Sequence, residues 1–439
     1  MTPIPGSSRL PISMRFYPRF FELILLVLAY GVTALAFLGV YLALYRDHPL
    51  AIEAMRFAWP MGAFLAAHIF LSIRRPHANQ ALIPTVAALT GIGLVFLYRV
   101  DAPMTATAEA GRHLNSQSAT VVLGMVALLW LASVRDTRVL SRYKYLCMVV
   151  GIGLLLLTAL LGDVVHGKAL KITLGPFEFQ PTELVKLLLV VFMAAYLADR
   201  TRLISQRWGR WVISAEDIRY LGPLFVIWVA SQSLLYYQKD LGAALLFFGI
   251  FLAMIVISNA RTLYVAIGIA FFCGGAAYAY EFSERTRERF KIWIDPWPYG
   301  AKQSFQILQG LFALGFGGLF GTGWGHGAPH FIPAVQTDFV FLGLAEEIGF
   351  IGALGVLALY LMLVWQGFGI ALRAKTTFSS LLAAGLTIVL AIQVLVIIGG
   401  CLRLIPLTGV PVPFLSRGGT NMVCNLALVG MLLAVSAEE

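Results

Sequence analysis

Charged residues and cysteines are both scarce in this sequence. Asp, Glu, Lys and Arg make up only 12% of its 439 residues, whereas hydrophobic residues make up 59%, which excludes an ordinary soluble protein. The four cysteines, at positions 147, 273, 401 and 424, lie inside or at the ends of apolar runs, which argues against a disulfide framework or a thiolate metal cluster. The sequence therefore predicts a chain whose main solvent is the lipid bilayer.

Apolar runs of about 17 to 25 residues, the length that carries a helix across the hydrocarbon core, recur along the chain. We predict an all-α polytopic membrane protein with about twelve transmembrane helices. Their approximate ranges are 20–45, 56–74, 81–98, 114–133, 145–162, 183–198, 219–237, 240–258, 262–280, 340–371, 379–402 and 419–436. The first run is too long for a signal-peptide core, so we expect it to be retained. The short gap after residue 237 predicts a tight helical hairpin with Lys239 and Asp240 at its tip.

The distribution of Lys and Arg predicts the orientation, because positively charged loops tend to stay cytoplasmic. Loops on one side, such as the one with Arg135, Arg138 and Lys144, hold roughly twice as many of these residues as the short loops opposite. Both termini are therefore predicted to be cytoplasmic. The segments predicted to face outward are 163–182, the hairpin tip, 281–339 and 403–418. This topology explains the formal net charge of +10 better than nucleic-acid binding does.

The connection from 281 to 339 is long, and long loops usually carry function or structure of their own. Its segment SFQILQGLFALGFGGLFGTGWG is apolar but interrupted by glycines, which predicts a partly helical re-entrant or interfacial segment. His326 and His330 are four residues apart, but Gly327 and Pro329 prevent the regular helix that would place both rings on one face. We therefore do not predict a metal site there.

Charged residues at the edge of the hydrocarbon are functional candidates, because burying a charge is costly. Asp240 opens the eighth span, where it either caps the helix at the outer interface or carries chemistry. Glu183 and Lys186 share one helix face, where they either neutralise each other or leave Lys186 to bind a pyrophosphate. Asp338 is expected to cap the long helix that follows it.

Two further groups lie near the outer ends of later spans. Glu346 and Glu347 are about two turns inside the long helix, so at least one of them must face protein or water. The segment RLIPLTGVPVPFLSRGGTNM is rich in proline and glycine, which predicts a rigid outer loop. In that loop Arg403, Ser416 and Arg417 are available for anions, unless the loop only separates two spans.

From about residue 80 onward, the chain resembles the SEDS proteins (RodA, FtsW and SpoVE), because five motifs occur in that family's order. They are LGPFEFQPTELVKL, QKDLGAALL, KIWIDPWPYGAKQSFQILQGLFALGFGGLFGTGWG, TDFVFLGLAEEIGFIGAL and IPLTGVPVPFLSRGGTNM. The resemblance implies a glycosyltransferase core of about ten spans at 79–439, after an extension with two transmembrane helices at 1–78. It further implies polymerisation of peptidoglycan glycan strands from lipid II at the outer face of the bacterial inner membrane, in cell elongation or division.

In that family the aspartate matching Asp240 is catalytic, so the resemblance favours chemistry over capping alone. The positions that line or support the family's outward-facing site match Glu183, Lys186, Asp338 and residues 413–419. The chain departs from the family pattern at Lys239, where many members have proline, and at Arg417, where many have tyrosine. These departures affect the expected substrate contacts and leave Asp240 unchanged.

The implied reaction joins the C4 hydroxyl of one lipid-linked disaccharide to the anomeric carbon of a growing chain, with undecaprenyl pyrophosphate as the leaving group. Asp240, beside Lys239, is placed to act as the general base of an inverting transfer. The cations expected to stabilise the leaving group are Lys171, Lys186, Arg403 and Arg417. A divalent cation, Mg²⁺ or Mn²⁺, could share this duty, although no ligand set in the sequence requires one.

Two alternative functions fit the many spans and the intramembrane charges. One is a flippase that moves lipid II across the membrane, and the other is a scaffold that positions a transpeptidase. The resemblance implies a class B penicillin-binding protein as a partner. The other expected partners are lipid II, the nascent glycan strand, further elongation or division proteins and membrane lipid, but not nucleic acid.

Overall fold

The computed structural model describes residues 19–101, 112–165, 168–174, 177–199, 215–258, 262–299 and 304–438, which form fifteen α-helices and a three-stranded sheet. The first helices are α1 (Phe20–Leu44), α2 (Leu50–Arg74), α3 (Leu82–Asp101), α4 (Arg112–Ala132), α5 (Arg138–Arg142), α6 (Lys144–Leu161) and α7 (Pro181–Ala198). The strands are β1 (Asp163–Val165), β2 (Lys168–Leu174) and β3 (Phe177–Phe179). The later helices are α8 (Ala215–Tyr237), α9 (Leu241–Ile257), α10 (Thr262–Phe282), α11 (Glu284–Ile294), α12 (Phe305–Gly317), α13 (Val340–Arg373), α14 (Thr377–Cys401) and α15 (Gly419–Ser436).

The prediction of an all-α polytopic membrane protein is confirmed. Among the described residues, ten helices are long and apolar enough to cross a membrane. The predicted seventh span corresponds to α8, with 23 residues, and the predicted eighth to α9, which is apolar but has only 17. The chain is therefore a multi-pass membrane protein.

Helix α3 lies at the centre of the bundle, and all 20 of its residues are buried. One reason is that α1 packs along it, so closely that a Cβ at Gly91 would lie 2.1 Å from the hydroxyl of Thr33. Helix α2 packs against α4, which in turn packs against α15. The N-terminal hairpin, α1 with α2, thus covers a helix that would otherwise present polar side chains such as Arg99 to lipid.

The small sheet was not predicted. Strand β2 pairs antiparallel with both β1 and β3 in the segment expected to be an outer loop. The alternation of polar and apolar residues from Lys171 to Leu174 is typical of a strand, but it is too short to distinguish a strand from a loop.

The long connection is partly helical, as predicted. It contains α11, α12 and two short 3₁₀ helices, Trp297–Tyr299 and Pro329–Phe331. After α12, residues 318–327, here called the glycine loop, run against a break in α13 at Gly349, whose φ of 71° suits glycine. There the amide of Thr322 donates to the carbonyl of Glu346 at 3.0 Å, and Phe350 donates to Gly318 at 2.9 Å. The glycine loop therefore satisfies backbone groups that the break leaves open.

Both glutamates of α13 face protein, which confirms the prediction for at least one. The amide of Ala328 donates to Glu346 Oε1 at 2.7 Å, and that of Gly325 donates to Glu347 Oε2 at 3.3 Å. Arg99 of α3 forms an ion pair with Glu347, with 2.6 Å between Nε and Oε1. These buried carboxylates therefore fasten the glycine loop to α13.

Candidate functional site

The tight hairpin between α8 and α9 is confirmed, with a tip of residues 238–240. Gln238 holds the tip by donating to the carbonyl of Leu155 in α6 at 2.7 Å. Lys239 is exposed and has a φ of 59°, and Asp240 is only 6% exposed. Asp240 Oδ1 accepts a bond from the amide of Ala243 at 3.2 Å, so the carboxylate does cap α9. Capping orients this side chain, and its catalytic role stays a prediction.

The loop at 402–418 lies against the start of α9. A Cβ at Gly242 would be 2.7 Å from the carbonyl oxygen of Thr408, so glycine is required for this approach. On the neighbouring residue, Gly409 with a φ of 73°, a Cβ would be 3.4 Å from Asp338 Oδ2. Asp240 and Asp338, distant in sequence, therefore flank the same short stretch of loop.

The expectation that Asp338 caps α13 is wrong. The residue in the cap position is Phe339, whose side chain makes no capping hydrogen bond. Asp338 belongs instead to a turn in which its amide donates to the carbonyl of Ala334 at 3.1 Å. Its own carbonyl accepts a bond from the thiol of Cys401 at 3.2 Å. This turn places the carboxylate beside Gly409.

Arg289 of α11 is a candidate site residue that the sequence pattern did not predict. Burial lowers the pKa of Arg289, and the like charge of Arg285 adds to this, whereas the carboxylates of Asp240 and Asp338 act in the opposite direction. The guanidinium therefore lies within electrostatic reach of both aspartates. The available signal was the pair of arginines four residues apart, which share one face of a helix in the long connection from 281 to 339.

Arg403 holds α11 in place. Its guanidinium donates to the carbonyls of Trp293 at 3.1 Å and Ile294 at 3.0 Å, where α11 ends. In return, the indole of Trp293 donates to the carbonyl of Arg403 at 2.9 Å. A cation at the C-terminal end of a helix also suits the helix dipole. The predicted contact of Arg403 with pyrophosphate stays a prediction.

Ser416 and Arg417 clasp the turn that carries Asp338. The hydroxyl of Ser416 accepts from the amide of Val412 at 2.9 Å and donates to the carbonyl of Thr337 at 2.6 Å. Arg417 donates from its amide to the carbonyl of Gln336 at 2.8 Å and from its guanidinium to the Gln336 side chain at 3.3 Å. These two residues therefore support the site from the loop side.

Lys171 pairs with Glu178 across strands β2 and β3, with 2.5 Å between Nζ and Oε2. The hydrogen bond from Lys171 lowers the pKa of Glu178; burial opposes this, and the charges of Lys171 and Arg417 lower it further. Lys171 and Arg417 therefore lie in one region around Glu178.

Glu183 and Lys186 form the buried pair predicted as one alternative. Nζ of Lys186 lies 2.5 Å from Glu183 Oε2 and 2.8 Å from Gln393 Oε1, and its side chain is 1% exposed. Asn421 donates to Glu183 at 2.9 Å, and Asn425 donates to Asn421 at 3.0 Å. The side-chain amides of Gln393, Asn421 and Asn425 were not predicted to lie here, because they come from helices distant in sequence. Binding of pyrophosphate by Lys186 stays a prediction.

Metal ligands in this protein would come from His, Cys, Asp and Glu side chains in the described ranges. There, no group of three or more His, Cys, Asp or Glu side chains is placed to hold a metal ion. The contribution of a divalent cation stays a prediction.

The order of these elements is shared with known proteins. The FtsW/RodA/SpoVE family, described as cell cycle proteins, matches residues 80–439. The chain belongs to this family. As an FtsW/RodA/SpoVE member with many apolar helices, it is a multi-pass protein of the bacterial cytoplasmic membrane.

Three relatives show the extent of the similarity. The peptidoglycan glycosyltransferase RodA of Mycobacterium tuberculosis (strain ATCC 25618 / H37Rv) is 35% identical over 425 residues. The match covers 94% of the present chain and 90% of the mycobacterial protein. The rod shape determining protein RodA of Thermus thermophilus has a solved structure with 25% identity and a TM-score of 0.59. The match covers 82% of this chain and 96% of that one. A chain from a study of polymerization and crosslinking by a peptidoglycan synthase complex is 26% identical, with a TM-score of 0.65 and coverages of 82% and 97%.

Proposed function

We propose that this protein is a peptidoglycan glycosyltransferase that extends glycan strands from lipid II, with Asp240 as its general base. The observation that carries the proposal is the convergence of Asp240, Asp338 and Arg289, here called the outer cluster, from three segments distant in sequence. The enzyme class is supported by the relative that is 35% identical over most of the chain and is named a peptidoglycan glycosyltransferase.

In the proposed reaction the C4 hydroxyl oxygen of the acceptor forms a bond to the anomeric carbon of the donor chain. Asp240 accepts the hydroxyl proton, and the bond between the anomeric carbon and the pyrophosphate oxygen breaks, so its electron pair leaves with undecaprenyl pyrophosphate. A single displacement of this kind inverts the anomeric centre. Arg289 stabilises the negative charge that develops on the leaving group, because a guanidinium matches phosphate geometry.

The positions of the remaining cations support a contact with substrate to different degrees. Lys239 is exposed beside Asp240, so it is free to meet a substrate headgroup at the tip. Arg417 and Lys171 lie near Glu178, farther along the outer surface. A divalent cation, Mg²⁺ or Mn²⁺, would be held by pyrophosphate oxygens together with one or two carboxylates of the outer cluster.

The proposal includes the topology and the partners. Both termini lie in the cytoplasm, and the outer cluster faces the opposite side, where lipid II and the nascent strand are found. The partner is a class B penicillin-binding protein with a single membrane anchor, acting with other elongation or division proteins. The structurally similar chain from a peptidoglycan synthase complex supports this partnership.

The deciding experiment separates capping from catalysis at Asp240. Asparagine caps helices as well as aspartate does, so Asp240→Asn keeps the cap and removes the base. The protein, purified with its transpeptidase partner, is given labelled lipid II, and the products are sized. We expect glycan synthesis by Asp240→Asn to fall by about 10²- to 10⁴-fold while thermal stability stays near wild type.

Asp136→Asn is the matched control. Like Asp240, Asp136 accepts a hydrogen bond from a backbone amide, that of Arg138 at 2.9 Å, but it lies far from the outer cluster in an exposed loop. Glycan chains formed by Asp240→Asn at the wild-type rate would contradict the mechanism. If neither the wild-type protein nor Asp240→Asn makes glycan chains but both scramble lipid II in vesicles, the flippase is the better function. Cell-wall synthesis that survives Asp240→Asn in an intact complex would favour the scaffold.

A further inference from the structure

The N-terminal hairpin contacts the glycine loop directly. A Cβ at Gly39 of α1 would lie 3.0 Å from Cβ of Trp324, so the tryptophan sits against the bare backbone of α1. One residue along, a Cβ at Gly325 would be 2.5 Å from Cβ of Ala43. Trp324 also packs against the apolar cluster between the N-terminal hairpin and α3, which includes Tyr98. The glycine loop is therefore seated on a surface that α1 provides.

The opposite side of the glycine loop is fastened to the bundle. Arg99 of α3 bridges Glu347 at 2.6 Å and the carbonyl of Gly327 at 2.7 Å. Glu346 and Glu347 accept the amides of Ala328 and Gly325. The loop is thus held between α1 on one side and the first turns of α13 on the other.

A short helix connects this loop to the outer cluster. The break at Gly349 separates residues 340–348 from the rest of α13, which leaves a rod about 13 Å long. Glu346 and Glu347 lie at one end of the rod, and Asp338 precedes its other end. Helices transmit displacement along their axis because their backbone is hydrogen-bonded throughout. A shift of the glycine loop would therefore shift the carboxylate of Asp338.

We propose that Trp324 is a positioning residue that α1 holds in place, and that the N-terminal hairpin thereby sets the location of Asp338 relative to Asp240. This inference rests on the proposed function and gives the two extra spans a role in it. The hairpin acts through the glycine loop and the short helix, and it contributes no group to the chemistry. Misplacement of about 1 Å at a reacting centre is enough to slow an enzyme strongly.

The test compares two identical changes in one helix. Gly39→Leu places a side chain against Trp324, whereas at Gly31 a Cβ would meet no described atom within 4 Å, so Gly31→Leu is the matched control. Leucine has the higher helix propensity, so neither change weakens α1 itself. We expect kcat for glycan synthesis to fall about tenfold in Gly39→Leu with KM little changed, and to stay at the wild-type value in Gly31→Leu.

A second readout does not depend on activity. The thiol of Cys401 bonds the carbonyl of Asp338, so its alkylation rate reports the position of that turn. In a background with Cys147, Cys273 and Cys424 replaced, alkylation of Cys401 should accelerate in Gly39→Leu and not in Gly31→Leu. Trp324→Ala should lower kcat and accelerate alkylation of Cys401, as Gly39→Leu does. Trp324→Phe should recover much of the kcat for glycan synthesis.

Steric compensation gives the strictest test. Adding Trp324→Ala to Gly39→Leu makes room for the leucine, so the double variant should be more active than additivity of the single changes predicts. Equal alkylation and equal kcat in Gly39→Leu and Gly31→Leu would overturn the inference. A wild-type protein that makes no glycan would refute the proposed function, yet faster alkylation in Gly39→Leu alone would still support the positioning contact.

Discussion

Two groups of charged residues in this protein are built from similar side chains and are held in different ways. The inner cluster, Glu183 and Lys186 with three amides, lies on α7, α14 and α15 and is linked by direct side-chain bonds in the buried bundle. The outer cluster takes Asp240 from a hairpin tip, Asp338 from a turn and Arg289 from a helix of the long connection.

The two clusters differ in how tightly their charged groups are held. Lys186 is fully buried and bonded to two side chains, so moving its charge would break bonds that the bundle needs. Arg289 remains partly exposed, and its charge interacts electrostatically with two carboxylates on separate segments. We therefore expect changes in the inner cluster to alter stability and changes in the outer cluster to alter turnover.

The largest effect is expected for Lys186→Met, which leaves the carboxylate of Glu183 buried without its cation. The free energy of unfolding should fall by about 3–5 kcal/mol. Adding Glu183→Gln should restore much of it, because the remaining groups are neutral. Unfolding in detergent, followed by fluorescence, measures both variants. A Lys186→Met protein of wild-type stability that makes no glycan would instead support the predicted pyrophosphate contact.

Arg289→Ala should come next and should affect turnover. Losing a cation aimed at developing charge typically costs about 10²- to 10³-fold in kcat. Lys291→Ala is the control, since it removes one charge from the opposite, exposed face of the same helix, beside a cavity of about 250 Å³. Glycan synthesis and thermal unfolding are measured on both. Equal activity in the two variants would remove Arg289 from the mechanism.

Arg403→Ala tests whether the outer cluster depends on the orientation of α11. Losing charge-assisted bonds to the carbonyls of Trp293 and Ile294 should cost about 1.5–3 kcal/mol locally. Hydrogen exchange of α11 should then accelerate, while exchange of α7 stays unchanged. If exchange is unaltered but KM for lipid II rises, Arg403 binds substrate as the sequence suggested.

The smallest effect is expected for Glu178→Gln at the exposed end of the site. Because Lys171 lowers the pKa of Glu178 below its ordinary value of 4.5, the pair stabilises the fold at neutral pH and loses this contribution as pH falls through the lowered value. The exposed pair should contribute less than about 1 kcal/mol at neutral pH. Unfolding measured from neutral to acidic pH should show the stability difference between the two proteins shrink once pH falls below 4.5 and vanish below the lowered pKa of Glu178.

The transmembrane helices could be predicted because long apolar runs leave few alternatives in a bilayer. The hairpin at Asp240 could be predicted because the gap between two spans allows only a tight turn. The sheet at 163–179 was missed because its alternating pattern is short, and strand pairing depends on partners that a short pattern does not specify.

The site itself was predicted only in part. Asp338 was assigned to a cap because capping residues are recognised by position, and a shift of one residue along the chain changes the role. Arg289 was missed because charged residues in a loop normally face water, and only the fold brings this one to two aspartates. The amides around Lys186 come from α14 and α15, and such tertiary contacts leave no local pattern.

Helix α9 is short for a transmembrane helix, and this has a consequence for the membrane around it. Its 17 residues span about 25 Å, whereas the hydrocarbon core is about 30 Å thick. A span with this mismatch thins the bilayer around it or draws its ends inward. Asp240, which precedes the first residue of this helix, is thereby drawn toward the hydrocarbon. Under the proposed function, the thickness of the host membrane would therefore influence how this carboxylate meets a lipid-linked substrate.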